Sequence, residues 1–211
     1  KFLLSSPVLF REFRFRWDQI IWKDILKYGL PTVPAVFFLI LITVSDRFLV
    51  KHFLGEHAVG LYASGYKIGV VMALLITAFR FAWQPFYLSK GEDPDAPYIF
   101  ARIFTLFVAV TGFIFLGVSM VLVDLLKMPW GGLYIIAPNY HEGLKVVPFI
   151  LMGNMLFGLS QNFIVGAYIK KKTLFIPLFT GIGFLVNITA NVVFLSVFKW
   201  GFLSAGYSLV L

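Results

Sequence analysis

Long apolar runs, one after another, restrict this chain more than any other feature. Two of them, residues 146–169 and 173–198, contain no Asp, Glu, Lys or Arg. Each exceeds the roughly 20 residues that a helix needs to cross a hydrocarbon core about 30 Å thick. Three further runs meet the same test with interruptions. Residues 28–50 open on Pro31 and Pro34, residues 58–88 carry Lys67 and Arg80, and residues 98–123 are uncharged after Arg102. An apolar tail at 201–211 is too short to span. Composition agrees, with 60% of residues apolar and 13% charged, where soluble domains average roughly 45–50% and 25%. A soluble fold of this size lacks the polar cover for so much apolar surface. The expected class is therefore all-α, a polytopic membrane helix bundle.

The formal charge is +8, from 18 basic and 10 acidic residues. In such a chain that excess informs through its placement, and nucleic acid is a poor choice of partner. If the five runs alternate across the bilayer, one side receives Lys1, Arg11, Arg14, Arg16, Lys23, Lys27, Lys90, Arg102 and the triplet 170–172, eleven basic residues. The other side receives five: Arg47, Lys51, Lys127, Lys145 and Lys199. The positive-inside rule then puts the N-terminus in the cytoplasm. Residues 1–27 read as a basic amphipathic linker, with Phe10, Phe13, Trp17 and Ile21 at helical spacing and the arginines largely off that face. Such a segment lies on the inner leaflet.

Residues 89–97 (SKGEDPDAP) read as a solvated turn. Residues 128–145 form the longest connection, on the outer side, where Trp130, Tyr134 and Tyr140 suit an interfacial belt. The chain starts at Lys1 without a signal peptide and stops within an apolar stretch. It reads as part of a longer protein, its later half, ending within a sixth span.

Lys67 and Arg80 are the residues least at home in lipid. They stand 13 positions apart, about 20 Å along a helix and about 140° around it. A central charge costs roughly 2.5–3.5 kcal/mol on insertion scales, so it should face a partner, a polar cavity or a substrate. Snorkelling to the headgroups is the plainer alternative. Lys67 shares a stripe with Gly60 and Ser64. Arg80 shares one with Ala73, Thr77 and Gln84, continued through Gly65 and Gly69, whose small size admits a neighbouring helix. Asp46 and Arg47 fall near the outer end of the first run, where adjacent opposite charges are most simply a membrane-surface feature. Pro31 and Pro34 should break or bend that run at its start. Asn154 with Gly158 and Gln161, and Asn187 with Asn191, form polar stripes. Interhelical hydrogen bonding explains them adequately, and lining a hydrophilic cavity is the sharper reading.

No HExxH, GxSxG or phosphate-binding glycine loop is present. His52, His57 and His141 all fall in outer connections, and no cofactor or metal is expected. With no cysteine, disulfides and thiolate sites are excluded. The chain does not read as an enzyme.

Several segments nevertheless resemble one family. YGLPTVPA, SDRFLV, GxxAVGLYASGYKIG, FRFAWQPF and IKKKTLFIPLFTGIGFLVNITANVVF are similar to the bacterial oligosaccharide (O-antigen type) flippases. These belong to the multidrug/oligosaccharidyl-lipid/polysaccharide exporter superfamily. The resemblance implies the second six-helix bundle of a transporter with twelve to fourteen helices, truncated in its sixth span. Residues 1–27 would then join it to a missing N-terminal bundle. It further implies flipping of undecaprenyl-diphosphate-linked oligosaccharide across the bacterial cytoplasmic membrane by alternating access, for O-antigen, capsule or exopolysaccharide.

On that basis Arg80 and then Lys67 are expected to contact the anionic headgroup. Arg47 and Asp46 are gate or rim candidates, with Gln84 beside Arg80. Asn154, Gln161, Asn187 and Asn191 would meet sugar hydroxyls. Rivals are an exporter of the same fold for drugs or the peptidoglycan lipid precursor, and a membrane-embedded glycan polymerase or ligase. A cation-driven drug exporter should carry acids deep in its bundle, whereas Asp46 and Asp124 read as lying at helix ends. A polymerase or ligase should expose a larger outer loop than the eighteen residues of 128–145.

Overall fold

The computed structural model describes residues 19–30, 32–170 and 172–211. Most of the amphipathic linker therefore lies outside the described residues, as do Pro31 and Lys171. What is described of the linker continues into helix α1, Gln19–Gly29. Helix α2, Thr32–Leu54, starts just beyond Pro31. The first span is thus set four residues later than expected, and the interruption falls ahead of it rather than within it. Pro34 sits in the first turn of α2, where its missing N–H costs no intrahelical bond.

Gly55 alone links α2 to α3, Glu56–Lys90. Reversing a helix in one residue needs a backbone conformation that side chains resist, and Gly55 takes it at φ +83°. Lys51 and Glu56 pair across the turn at 2.9 Å. Helix α3 has 35 residues, about 52 Å at 1.5 Å per residue, so it overhangs a 30 Å core. The turn at residues 91–95 leads to α4, Ala96–Gly117, which runs through a π-helical turn, Val118–Leu122, into α5, Val123–Lys127. The outer connection is less irregular than its composition implied. Pro129–Trp130 and Leu133–Tyr134 pair as a small antiparallel ribbon, β1 and β2, before a 3-10 helix at Pro138–Val146. The fourth span is α6, Val147–Phe163, broken at Ile164 and resumed as α7, Val165–Ile169. Helix α8, Phe175–Ser196, is the fifth, and α9, Leu203–Ser208, follows it as a short piece.

Five of these helical stretches are long and apolar enough to cross a membrane. Their inward faces are narrow, with only 17% of the most apolar window of α2, and of α8, buried. Phe81 and Phe113 are 78% and 79% exposed. Side chains of that kind need an apolar solvent, so the chain is a membrane-embedded helical bundle.

The packing has two halves. Helix α2 lies along α8, joined by stacking of Phe38 on Phe184, while α3 lies along α6 with α4 behind them. The halves meet at the end that carries the Gly55 turn. There Val50, Ala58, Tyr62, Val146, Ile150 and Ala205 form one cluster drawn from α2, α3, the 3-10 helix, α6 and α9. Towards the opposite end, marked by the lysines around residue 171, α6 has no extended packing with α2 or α8. A cleft separates the halves there.

Candidate functional site

Helix α3 carries both intramembrane cations. It is held against the 3-10 helix and α6 by glycines at every fourth position. A Cβ at Gly65 would strike the backbone oxygen of Gly143 and the side chain of Val146, and one at Gly69 would strike Ile150. That close seating fixes where the rest of the stripe points. Thr77 turns its hydroxyl back onto the Ala73 carbonyl at 2.8 Å, which leaves Arg80 and Gln84 as the polar groups presented farther along.

Arg80 is exposed, and no carboxylate pairs with it among the described residues. It lines a small groove with Gln84, Tyr87, Gln161 and Tyr168 over the floor of Trp83, with about 20 Å³ of free space. That is room for one water. Its guanidinium carbon lies 6.0 Å from the centre of the Phe157 ring on α6, the outer limit of a cation–π contact. The buried ring N–H of Trp83 has no partner among the described residues. A planar cation flanked by two carboxamides and two phenols, and not neutralised by an acid, is a donor-rich surface suited to an oxyanion.

Lys67 lies elsewhere. Its groove is bounded by Gly60 and Ser64 of α3 and by Ile135, Ala137 and Tyr140 of the outer connection. The Ser64 hydroxyl donates to the Leu61 carbonyl at 2.7 Å. The two cations, about 20 Å apart along the helix, would each sit only about 5 Å inside opposite faces of a centred 30 Å core. Depth alone therefore forces neither into a cavity. Lateral surroundings distinguish them, since Arg80 is lodged beside α6 with amides and Lys67 borders a largely apolar groove.

Asp46 departs most from expectation. It is not a surface or rim residue: it is 1% exposed and lies eight residues inside the end of α2. It accepts hydrogen bonds from the Asn191 amide at 2.9 Å and from the Tyr62 hydroxyl at 3.4 Å. Asn187, also buried, donates to the Ser208 carbonyl at 3.0 Å. Through these bonds the two asparagines tie α8 to α2 and to α9. Burial of Asp46 follows from the same pairing of α2 with α8 that aligns Asn187 and Asn191 on one face. The oxygens Asn187 Oδ1 and Asn191 Oδ1 are buried without a partner among the described residues. No cluster of three or more His, Cys, Asp or Glu occurs among the described residues.

Arg47, next in sequence, is exposed and stacks its guanidinium 4.7 Å over Tyr66. Asn154 is half-buried and its amide donates to the Ile150 carbonyl at 2.8 Å within its own helix. The structure thus gathers Arg80, Gln84 and Gln161, and separately Asp46, Asn187 and Asn191. Lys67, Arg47 and Asn154 stand apart from both groups. Sequence reasoning missed Tyr62, Phe157 and Tyr168. Tyr62 shares a face with Gly65 and Gly69, which could have marked it as inward; the aromatic partners of Arg80 carried no such signal. The chain matches no family model, no curated protein and no solved structure.

Proposed function

We propose that the chain forms part of a transporter that flips a polyprenyl-diphosphate-linked oligosaccharide across the bacterial cytoplasmic membrane by alternating access. The observation that carries this reading is Arg80, a cation within a span that has no acidic partner among the described residues and stands among amide and phenol donors. A diphosphate crossing the membrane needs such a group to replace part of its hydration, and carboxamides can do the same for sugar hydroxyls. The lysines near residue 171 mark the cytoplasmic end in this reading, so the Arg80 groove lies in the cytoplasmic half and the packed Gly55 end faces outward. The exposed apolar faces of α2 and α8 would seat a second helix bundle, against which this one rocks.

Arg80→Gln is expected to lower surface polysaccharide at least tenfold at unchanged protein level, with Arg80→Lys intermediate because it loses the planar fork. Lys67→Gln should cost less, since its groove is separate. Full surface polysaccharide in the R80Q/K67Q double variant would remove the proposal.

A second reading gains from Asp46. An exporter of similar architecture driven by a cation requires an acid inside its bundle, and Asp46 is one. Its distinguishing outcome is export of small cationic compounds that Asp46→Asn abolishes and Arg80→Gln leaves intact.

A further inference from the structure

The groove at Lys67 has a free volume of about 630 Å³, within the usual range of ligand pockets. One wall is Ala63, Lys67 and Ile68 of α3, and the other is Ile135, Ala137 and Tyr140 of the outer connection. Ile135 is 64% exposed, so the groove opens away from the packed core. Lys67 forms no ion pair among the described residues, and no Asp or Glu lines the groove. The Ser64 hydroxyl is already engaged with the Leu61 carbonyl. What the groove offers is therefore one ammonium and the Tyr140 phenol against apolar walls. Its depth is defined as well. Lys67 lies about 5 Å inside one face of a centred core, on the side of the Gly55 turn. A lysine stem is about 6 Å long and carries its ammonium to the phosphate level of that leaflet.

We infer that this groove binds an anionic glycerophospholipid of the leaflet on the Gly55 side, its phosphate at Lys67 and the near part of its acyl chains along Ile68 and Ile135. The lining selects that class by charge and by what it lacks. A cation without an acid calls for an anion. A zwitterionic headgroup would set its own ammonium beside Lys67 with no carboxylate to receive it. A water-soluble anion would leave the isoleucines uncovered. A glycan headgroup would find none of the carboxamides that stand beside Arg80. The inference is independent of the transport reading, because it concerns a lipid that stays in its own leaflet and a groove that Arg80 does not line.

The test titrates the detergent-solubilised full-length protein, read by native mass spectrometry, with phosphatidylglycerol, phosphatidylethanolamine, glycerol 3-phosphate and undecaprenyl phosphate. Wild type is expected to bind phosphatidylglycerol about fivefold or more tightly than phosphatidylethanolamine and to retain no glycerol 3-phosphate. Lys67→Gln should weaken phosphatidylglycerol about tenfold and level the two lipids. Ala63→Phe fills the groove and keeps the cation, and should weaken phosphatidylglycerol to a similar extent. Lys199→Gln removes a cation beyond α8 at the same end of the bundle and should change nothing, which separates the groove from general surface charge. Arg80→Gln should also leave phosphatidylglycerol unaffected, so this inference and the transport reading fail separately. Phosphatidylglycerol bound by K67Q as by wild type overturns the site, the result also expected if the rest of the protein covers the groove. Phosphatidylethanolamine bound as tightly as phosphatidylglycerol overturns the anionic assignment. No effect of A63F, at unchanged melting temperature, takes the acyl chains out of the groove. Undecaprenyl phosphate displacing phosphatidylglycerol from wild type but not binding K67Q gives the groove to the proposed substrate and defeats the phospholipid.

Discussion

A single carboxyl shows how burial reassigns a residue. Asp46 has Arg47 beside it in sequence, and two adjacent opposite charges near the end of a run read most simply as a membrane-surface feature. Helical geometry sends the two side chains about 100° apart. Arg47 goes outward over Tyr66, and Asp46 goes inward to Asn191 and Tyr62. The Asn187 and Asn191 stripe was readable as an inward face, but its partner on a helix some 140 residues away was not, because spacing along one run says nothing about which run it packs against. The network makes an asymmetric prediction. Asp46→Asn keeps the side chain's size and an acceptor for Asn191, so melting in detergent should shift little. Asn191→Leu strips the carboxyl of its shortest bond inside the bundle, at a cost of about 1–3 kcal/mol. Equal melting of N191L and wild type would show that the carboxyl is solvated and the node unimportant.

Elements were more legible than partners. All five spans were marked by apolar length, and four of them begin within about two residues of the expected start. The exception, α2, is shifted because Pro31 bars the residue ahead of it from helix more firmly than apolar length argues for one. The 3-10 helix at Pro138–Val146 was hidden, since aromatic, glycine and proline content there is equally a loop's. Its role lies in contact. A Cβ on Gly143 would meet the Leu61 carbonyl and the Ser64 hydroxyl, just as one on Gly65 would meet the Gly143 carbonyl. Backbone atoms cannot swing aside as a side chain does, so the crossing of α3 over this segment depends on two glycines facing each other. Gly143→Val should lower stability by about 1–3 kcal/mol through overpacking. Gly112→Val, where an added Cβ meets nothing within 4 Å, should stay within about 0.5 kcal/mol. Equal losses of melting temperature at both positions would mean that side-chain volume at the crossing is not what matters. Because Lys67 lies on α3 beyond Ser64, a loosened crossing should also widen its groove.

At the scale of the whole molecule, the arrangement is closed at one end and divided at the other. The six-residue cluster around Tyr62 and Val146 joins both halves near the Gly55 turn, while Arg80 and the apolar cleft occupy the divided half. On the proposed transport reading, which end faces the cytoplasm decides whether this is a shape open to substrate synthesised inside or one that has released it. Only the charge bias, eleven basic residues against five, speaks to that. The chain has no cysteine, so single cysteines report sidedness without background. Glu92→Cys and Lys172→Cys, at the divided end, should react with a membrane-impermeant maleimide only after spheroplasts are opened. Glu56→Cys and Asn139→Cys, at the closed end, should react in intact spheroplasts. The reverse pattern would turn the Arg80 groove outward. Loading from the cytoplasmic leaflet could then not begin at Arg80 in this state, and Lys67, now at the cytoplasmic end, would become the first cation that a phosphate meets. Orientation and the order in which the two cations act are therefore one question, because α3 carries both on a single rigid axis with the cleft beside only one of them.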